Sequence, residues 1–228
     1  MNKIVKCWDL DKTITNVWWH TDAILTQVFS EFWLDYSNYL SDFRSPRLEW
    51  RPIKERLILL LWEEKWNIFF ERFKVLKFSN QTPPPLFPWI KNVLESVGWW
   101  VNILVTNKEW DFARQDIWLN QIEWLFKRAI TSDDVWWDES RLKPSPELID
   151  IWVSWLNPDT IIMIWDTAND INAILSSKSW KNRIWILAWW WNTPKTLDEQ
   201  MRMIKWREWT DYIYIPTVAE VQKFISNI

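Results

Sequence analysis

Ile4-Val5-Lys6-Cys7-Trp8-Asp9-Leu10-Asp11-Lys12-Thr13 decides the reading of this chain. Ile4, Val5, Cys7 and Trp8 make a short apolar run of strand type, and Asp9 stands where that strand should stop. Open α/β sheets bind ligands just beyond the carboxyl ends of their strands, which puts Asp9 and Asp11 in a crevice. Two carboxylates one residue apart repel each other unless a cation or a proton lies between them. A hard cation that takes oxygen ligands, such as Mg²⁺, would relieve the repulsion. Asp-x-Asp also occurs in plain turns, and taken alone the motif leaves both readings open.

Three later segments bear on that choice. Ile103-Leu104-Val105 is a second apolar run and ends in Thr106-Asn107-Lys108. Arg141-Leu142-Lys143-Pro144-Ser145-Pro146 puts a lysine just ahead of a helix start, with Ser145 expected as N-cap and Pro146 as the first helical residue. Ile161-Ile162-Met163-Ile164 is a third run, followed by Trp165-Asp166-Thr167-Ala168-Asn169-Asp170. In this order and at these spacings, the four segments resemble the haloacid dehalogenase superfamily of phosphohydrolases. The pattern of that family is Asp-x-Asp-x-Thr, then Ser/Thr, then Lys-Pro, then Gly-Asp-x-x-x-Asp. The resemblance covers nearly the whole chain.

The resemblance implies a role for each residue. Asp9 is the expected nucleophile, forming an aspartyl-phosphate. Asp11 is the expected general acid toward the leaving alcohol and then the base that activates water. Thr106 should hydrogen-bond a phosphoryl oxygen, with Asn107 beside it. Lys143 would neutralise charge on the nucleophile and the phosphoryl group. Asp166 should complete a Mg²⁺ site with the Asp9 side chain and the Asp11 backbone carbonyl, and Asp170 either supports that site or is itself a ligand. The implied activity is that of a Mg²⁺-dependent phosphoric monoester hydrolase acting on a small phosphorylated metabolite. A phosphomutase of the same family, working on a sugar phosphate, would keep every motif and differ in its cap. From another class, the chain could be a catalytically silent binding protein, against which the intact set Asp9, Asp11, Thr106, Lys143 and Asp166 stands. One departure is Lys12, at a site where many relatives have Gly.

Residues 16–85 form an insert between the first strand and the next. Ala23, Ile24, Val28, Phe29 and Phe32 recur at helical spacing, as do Ile53, Leu57, Leu60 and Leu61, then Phe69, Phe70 and Phe73. The insert therefore reads as a small helical bundle, closed by the stiff linker Gln81-Thr82-Pro83-Pro84-Pro85. Beyond it, helices are expected at Ile90–Val97, Asp111–Ile117, Leu148–Trp155 and Ile171–Ser177. Strands are expected at Val101–Val105, Ile161–Ile164, Ile184–Leu187 and Tyr212–Ile215. Thr196-x-x-Glu199 and Thr217-x-x-Glu220 are capping-box patterns that open two last helices. Alternating strands and helices mean an α/β fold with a parallel sheet covered on both faces. With the resemblance this becomes a Rossmann-like core, 1–15 and 86–228, carrying a helical cap over 16–85 like that of the phosphoglycolate phosphatase branch. No internal repeat or low-complexity segment is evident.

Bulk properties narrow the classes. A net charge of −3 supplies no electrostatic footprint for nucleic acid or an anionic membrane. The single cysteine, Cys7, excludes an internal disulfide framework, and the single histidine, His20, excludes His-based triads and His-metal clusters. His20 reads as a solvated residue, and Asp133-Asp134 as a turn. The first residues are strand-like, with Lys3 and Lys6, and lack the apolar core of a secretory signal. The longest apolar run, Leu57 to Trp62, is too short to span a bilayer. A soluble cytoplasmic protein is the expectation.

One count stands out: 25 Trp against one Gly, Gly98, where average usage predicts roughly 16 glycines in a chain of this length. Trp165 precedes Asp166 where the family motif has Gly. Trp89, Trp118, Trp189 and Trp190 fall at turn or helix-end places where positive φ is expected. The doublets Trp18-Trp19, Trp99-Trp100 and Trp136-Trp137 read as Gly-Gly turns. These positions lead to the reading that most of the tryptophans are glycines in the living protein, through a UGA codon that the source organism reads as Gly. Trp8 and Trp66 read as genuine. The high aromatic content is therefore not taken as a stacking platform for single-stranded nucleic acid.

Overall fold

The computed structural model describes residues 3–45, 53–61, 63–88, 90–96, 98, 101–136, 138–177, 182–188, 212–215, 220 and 223. The chain divides into two compact units, residues 1–16 with 85–228, and residues 17–84. In chain order the elements are β1 (Ile4–Trp8), α1 (Trp18–Glu31), α2 (Ser37–Phe43), α3 (Ile53–Leu60), α4 (Glu63–Ser79), α5 (Ile90–Ser96), β2 (Asn102–Val105), α6 (Trp110–Leu119), β3 (Arg128–Ile130), α7 (Glu147–Leu156), β4 (Thr160–Trp165), α8 (Ala168–Ser176), β5 (Asn182–Ala188) and β6 (Tyr212–Ile215).

The six strands form one sheet in the order β3-β2-β1-β4-β5-β6, and every neighbouring pair is parallel. This order reverses on either side of β1, and ligands of such sheets bind at the carboxyl ends of strands beside that reversal. Cys7 lies level with Ile103 of β2 and with Met163 of β4. Side chains alternate along each strand, and the core splits accordingly. Val5, Cys7, Ile103, Val105, Ile161 and Met163 pack with Leu148, Ile149 and Val153 of α7 and with Ile171 and Ile174 of α8. Trp8, Leu104, Ile162 and Ile164 pack on the opposite face with Val93 and Leu94 of α5 and with Ala113 and Ile117 of α6. Covered on both faces, β1, β2 and β4 therefore read as near-continuous apolar runs.

The second unit holds α1 to α4. Its apolar residues gather around Phe29, whose ring meets Phe69 edge-on at 5.0 Å and Tyr36 at 5.2 Å. Leu25, Val28, Leu57 and Phe73 are buried with them. Within this unit His20 Nε2 lies 2.9 Å from the Thr82 carbonyl oxygen. No helix among the described residues is long and apolar enough to cross a membrane.

Several expectations shift against the structure. The strand β3 had no expectation, because Arg128-Ala129-Ile130 is three residues long and begins with a charge, as an edge strand can. Pro146 is the N-cap of α7 rather than its first residue, with φ −73° and ψ −11°. Ser145 Oγ still accepts from the Glu147 N–H at 3.4 Å. The turn expected at Asp133-Asp134 is present, as a 3₁₀ turn over Ser132–Val135 in which Asp134 accepts from the Thr131 N–H at 2.9 Å. The capping patterns beginning at Thr196 and Thr217 lie outside the described residues, apart from Glu220.

The tryptophans divide. Trp136 has φ 56° and ψ 34°, left-handed as a Gly turn requires. Trp33, which carried no separate expectation, has φ 58° just past the end of α1. Its N–H donates to the Ser30 carbonyl at 3.0 Å and the Leu34 N–H to the Phe29 carbonyl at 2.9 Å. This is the Schellman closure of a helix, at whose left-handed position Gly is the usual residue. Trp118, by contrast, lies inside α6, and the positive φ falls at Gln121 instead. Trp18 and Trp19 open α1 rather than a turn. Trp165 is extended, because it continues the ladder of β4 opposite Leu187. Its indole is fully buried in the apolar cluster under α7 and α8 and not at a left-handed bend. Trp89, Trp99, Trp100, Trp137, Trp189 and Trp190 lie outside the described residues.

Candidate active site

The ends of β1, β2 and β4 supply Asp9, the Val105 carbonyl and Asp166, and the first turn of α8 supplies Asp170. Asp9 leaves β1 with its N–H still paired to the Ile164 carbonyl at 3.0 Å, which holds it at the sheet's edge. The chain then folds back sharply, with the Ile14 and Thr15 N–H groups both donating to the Leu10 carbonyl at 2.9 and 3.0 Å. Lys12 takes φ 65° in this turn, which accounts for the glycine expected there. Asp9, Thr106, Lys143, Asp166 and Asp170 are all buried, polar residues in a region of apolar strands.

Lys143 organises the centre. Its ammonium donates to Asp9 Oδ1 at 2.6 Å, to the Val105 carbonyl at 2.9 Å and to Asp170 Oδ1. Those three acceptors use all three of its protons. Burial alone would pull the Lys143 ammonium down, but Asp170 and Asp9 outweigh it and hold the group above its usual value. Burial pushes the Asp9 carboxyl up to about 7, opposed by Lys143 and reinforced by the negative charges of Asp170 and Asp11. Among the described residues only Oδ1 of Asp9 is hydrogen-bonded, which leaves Oδ2 as its outward-acting oxygen.

The partners of Lys143 are themselves held. Asp170 Oδ2 accepts from the Thr167 hydroxyl at 2.8 Å and the Thr167 N–H at 3.3 Å, a cap at the start of α8. Asn107 Oδ1 accepts from the Lys143 N–H at 2.9 Å, and Asn107 Nδ2 donates to the Lys143 carbonyl at 3.0 Å. Asn107 thus spends its amide on the lysine's main chain instead of facing outward. Thr106 Oγ1 accepts from the Lys108 N–H at 3.2 Å, and the hydroxyl proton can still be donated.

Asp9, Asp166 and Asp170 each offer a carboxylate oxygen, and these oxygens lie within 4.8 Å of one another. Three buried acids facing one ammonium leave an excess of negative charge, which is costly away from water. An all-oxygen, doubly anionic set of this kind fits a hard divalent cation such as Mg²⁺.

Asp11 stands apart from Lys143. Its Oδ1 accepts from Lys108 Nζ at 2.5 Å, and the same ammonium reaches Asp116 Oδ2 at 2.7 Å. Asp116 is fully buried on α6. Neither Lys108 nor Asp116 had a predicted role. The signal was present in Asp116 itself, an acid set between the inward-facing Ala113 and Ile117 of an amphipathic helix. An acid on a buried face needs a cation, and Lys108 opens the same segment.

A family model described as haloacid dehalogenase-like hydrolase matches residues 7–178. A Lactobacillus plantarum structure provisionally assigned as a phosphoglycolate phosphatase matches at 14% identity and TM-score 0.70, covering 98% of this chain and 99% of that one. A Thermotoga maritima structure provisionally assigned as a beta-phosphoglucomutase matches at 15% identity and TM-score 0.70, covering 99% of each chain. The Bacillus subtilis protein YfnB, provisionally assigned as a HAD-hydrolase and bound to magnesium, matches at 14% identity and TM-score 0.66, covering all of both chains. No curated protein matches the chain. At these identities the structural likeness speaks for the fold.

Proposed function

Because the chain belongs to the haloacid dehalogenase-like hydrolases, we propose that it is a Mg²⁺-dependent phosphatase acting on a small phosphorylated metabolite through an aspartyl-phosphate. The observation that carries this reading is Lys143, buried between Asp9 and Asp170 with Asp166 alongside. A buried ammonium that fixes one oxygen of a strand-end aspartate while the other acts outward suits attack on phosphorus.

In the proposed sequence, Asp9 Oδ2 forms a bond to phosphorus as the bond to the leaving oxygen breaks. Asp11 gives its proton to that oxygen and releases the alcohol. Asp11 then takes a proton from water, whose oxygen attacks phosphorus and frees both Asp9 and inorganic phosphate. Thr106 donates its hydroxyl proton to a phosphoryl oxygen, and Lys143 balances charge on the nucleophile. Asn107 and Asp170 act through Lys143 by fixing its main chain and its ammonium. Asp9 and Asp166, with the Asp11 carbonyl, would hold Mg²⁺, and bound Mg²⁺ supplies charge neutralisation on the transferring phosphoryl group. Residues 16–85 serve as a cap that selects the substrate. A cytoplasmic location accords with such a substrate.

With Mg²⁺ present, the protein should release inorganic phosphate from p-nitrophenyl phosphate and from members of a metabolite panel, and EDTA should abolish this. Asp9→Asn keeps the shape and removes the attacking charge. Its turnover should fall on the order of 10³-fold or more, with an unchanged thermal melt. Near-parental turnover in Asp9→Asn would overturn the covalent reading. The Thermotoga likeness supports a second reading, a phosphomutase on the same site. Product analysis separates the two, since a mutase returns an isomeric sugar phosphate without free phosphate.

A further inference from the structure

We infer that Lys108, backed by Asp116, is a positioning residue for Asp11: it fixes one carboxyl oxygen so that the other meets the leaving group. The inference rests on the proposed role of Asp11 as general acid. Asp11 sits in the turn after β1 with a side chain 36% exposed, and an aspartate so placed would rotate about both its side-chain bonds. Lys108 removes that freedom by donating to Oδ1 at 2.5 Å, which leaves Oδ2 as the oxygen available to substrate.

Lys108 is well built for this task. Its side chain is only 15% exposed, its N–H donates to Thr106 Oγ1, and its carbonyl accepts from the Ser132 N–H at 3.2 Å. The segment after β2 therefore sets three groups at once: Thr106 directly, Lys143 through Asn107, and Asp11 through Lys108. Asp116 holds the lysine in turn: its fully buried carboxylate accepts from the Lys108 ammonium at 2.7 Å and anchors it from α6. The pair Lys108–Asp116 thus forms a clamp that orients Asp11.

The test uses the difference between leaving groups. A p-nitrophenolate leaves without a proton, whereas an alkoxide needs one, so only the alkyl ester depends fully on an oriented Asp11. The intact chain is assayed for kcat/KM, which reports transfer to Asp9, on p-nitrophenyl phosphate and on the alkyl phosphate it hydrolyses fastest in a metabolite panel. Lys108→Met with Asp116→Leu removes both members of the clamp together. The ratio of alkyl to aryl kcat/KM should fall about 10-fold or more, and Lys108→Arg should restore most of it. If the double variant fails to fold, Asp116→Asn provides the same readout, since it weakens the anchor of the Lys108 ammonium and so loosens Asp11, and should lower the same ratio. An unchanged ratio in folded variants overturns the inference while the phosphatase reading stands. A parent chain that hydrolyses neither ester overturns that reading and this inference with it.

Discussion

The Trp8 indole is fully buried and donates to Asn102 Oδ1 at 3.0 Å, whereas the Trp33 indole is 96% exposed on a residue with φ 58°. Asn102 completes the Trp8 contact by donating to the Leu94 and Leu125 carbonyls, so the whole buried cluster is satisfied. Trp8→Gly should therefore cost about 3–5 kcal/mol, as large-to-small changes in a core do. Trp33→Gly should do the opposite. It relieves a left-handed strain of about 1–2 kcal/mol, against a smaller entropic loss from a freer unfolded chain. The expected gain is up to about 1 kcal/mol, read as a higher urea midpoint with an unchanged slope; a lower midpoint would refute the glycine reading at this position. The same scale shows what the sequence made legible at the site. Asp9 and Asp166 were readable because each follows an apolar strand run, and Lys143 and Asp170 because they complete the family pattern at the expected spacing. Lys108 was not, because a loop lysine looks solvated until its buried partner Asp116 is placed in space.

At the scale of elements, β1 is the strand on which the site depends, since it lies between β2 and β4 with both faces covered. Cys7 reports on it. The thiol is buried, and burial pushes it up to about 12, with Lys143 pulling weakly the other way. The reactive species is the thiolate, so at pH 8 the native thiol should be nearly inert to a disulfide reagent. Reaction should begin only with global unfolding, and its rate should follow the unfolded fraction across a urea titration. Fast labelling of native protein would show that β1 opens locally. The sheet's centre was legible in the sequence because strands sealed on both faces must be apolar, which marks β2 and β4 as it marks β1. The edge strand β3 escaped because its pairing with β2 is set by tertiary contact rather than by pattern. Helix starts slipped for a related reason: the Pro146 dihedrals and the entry of α1 at Trp18 depend on backbone hydrogen bonds that composition does not encode.

Across the whole molecule, 25 tryptophans stand against one glycine, and several of those described lie outside any core. Trp33, Trp136 and Trp155 are each more than four-fifths exposed, and Trp19, Trp118 and Trp124 are exposed too. Indoles are usually well buried, and exposed apolar area of this extent invites association. Trp33 and Trp136 also demand left-handed backbone, while Trp165 buries an indole N–H that has no hydrogen-bond partner among the described residues. An unmatched buried donor costs about 1–3 kcal/mol. Several such costs together approach the stability of a typical domain, about 5–15 kcal/mol. A gene encoding Trp at these positions should therefore give aggregating or inactive protein on sizing chromatography and phosphate-release assay. A gene encoding Gly at Trp33, Trp136 and most of the others, with Trp8 and Trp66 kept, should give a monodisperse, active one. Trp118 and Trp19 sharpen the test, because their helical backbone does not ask for glycine and only a codon-wide cause would place it there. Sequencing the source DNA decides between the two: UGA at Trp33, Trp136, Trp118 and Trp19 with UGG at Trp8 would establish recoding, and UGG throughout would end it.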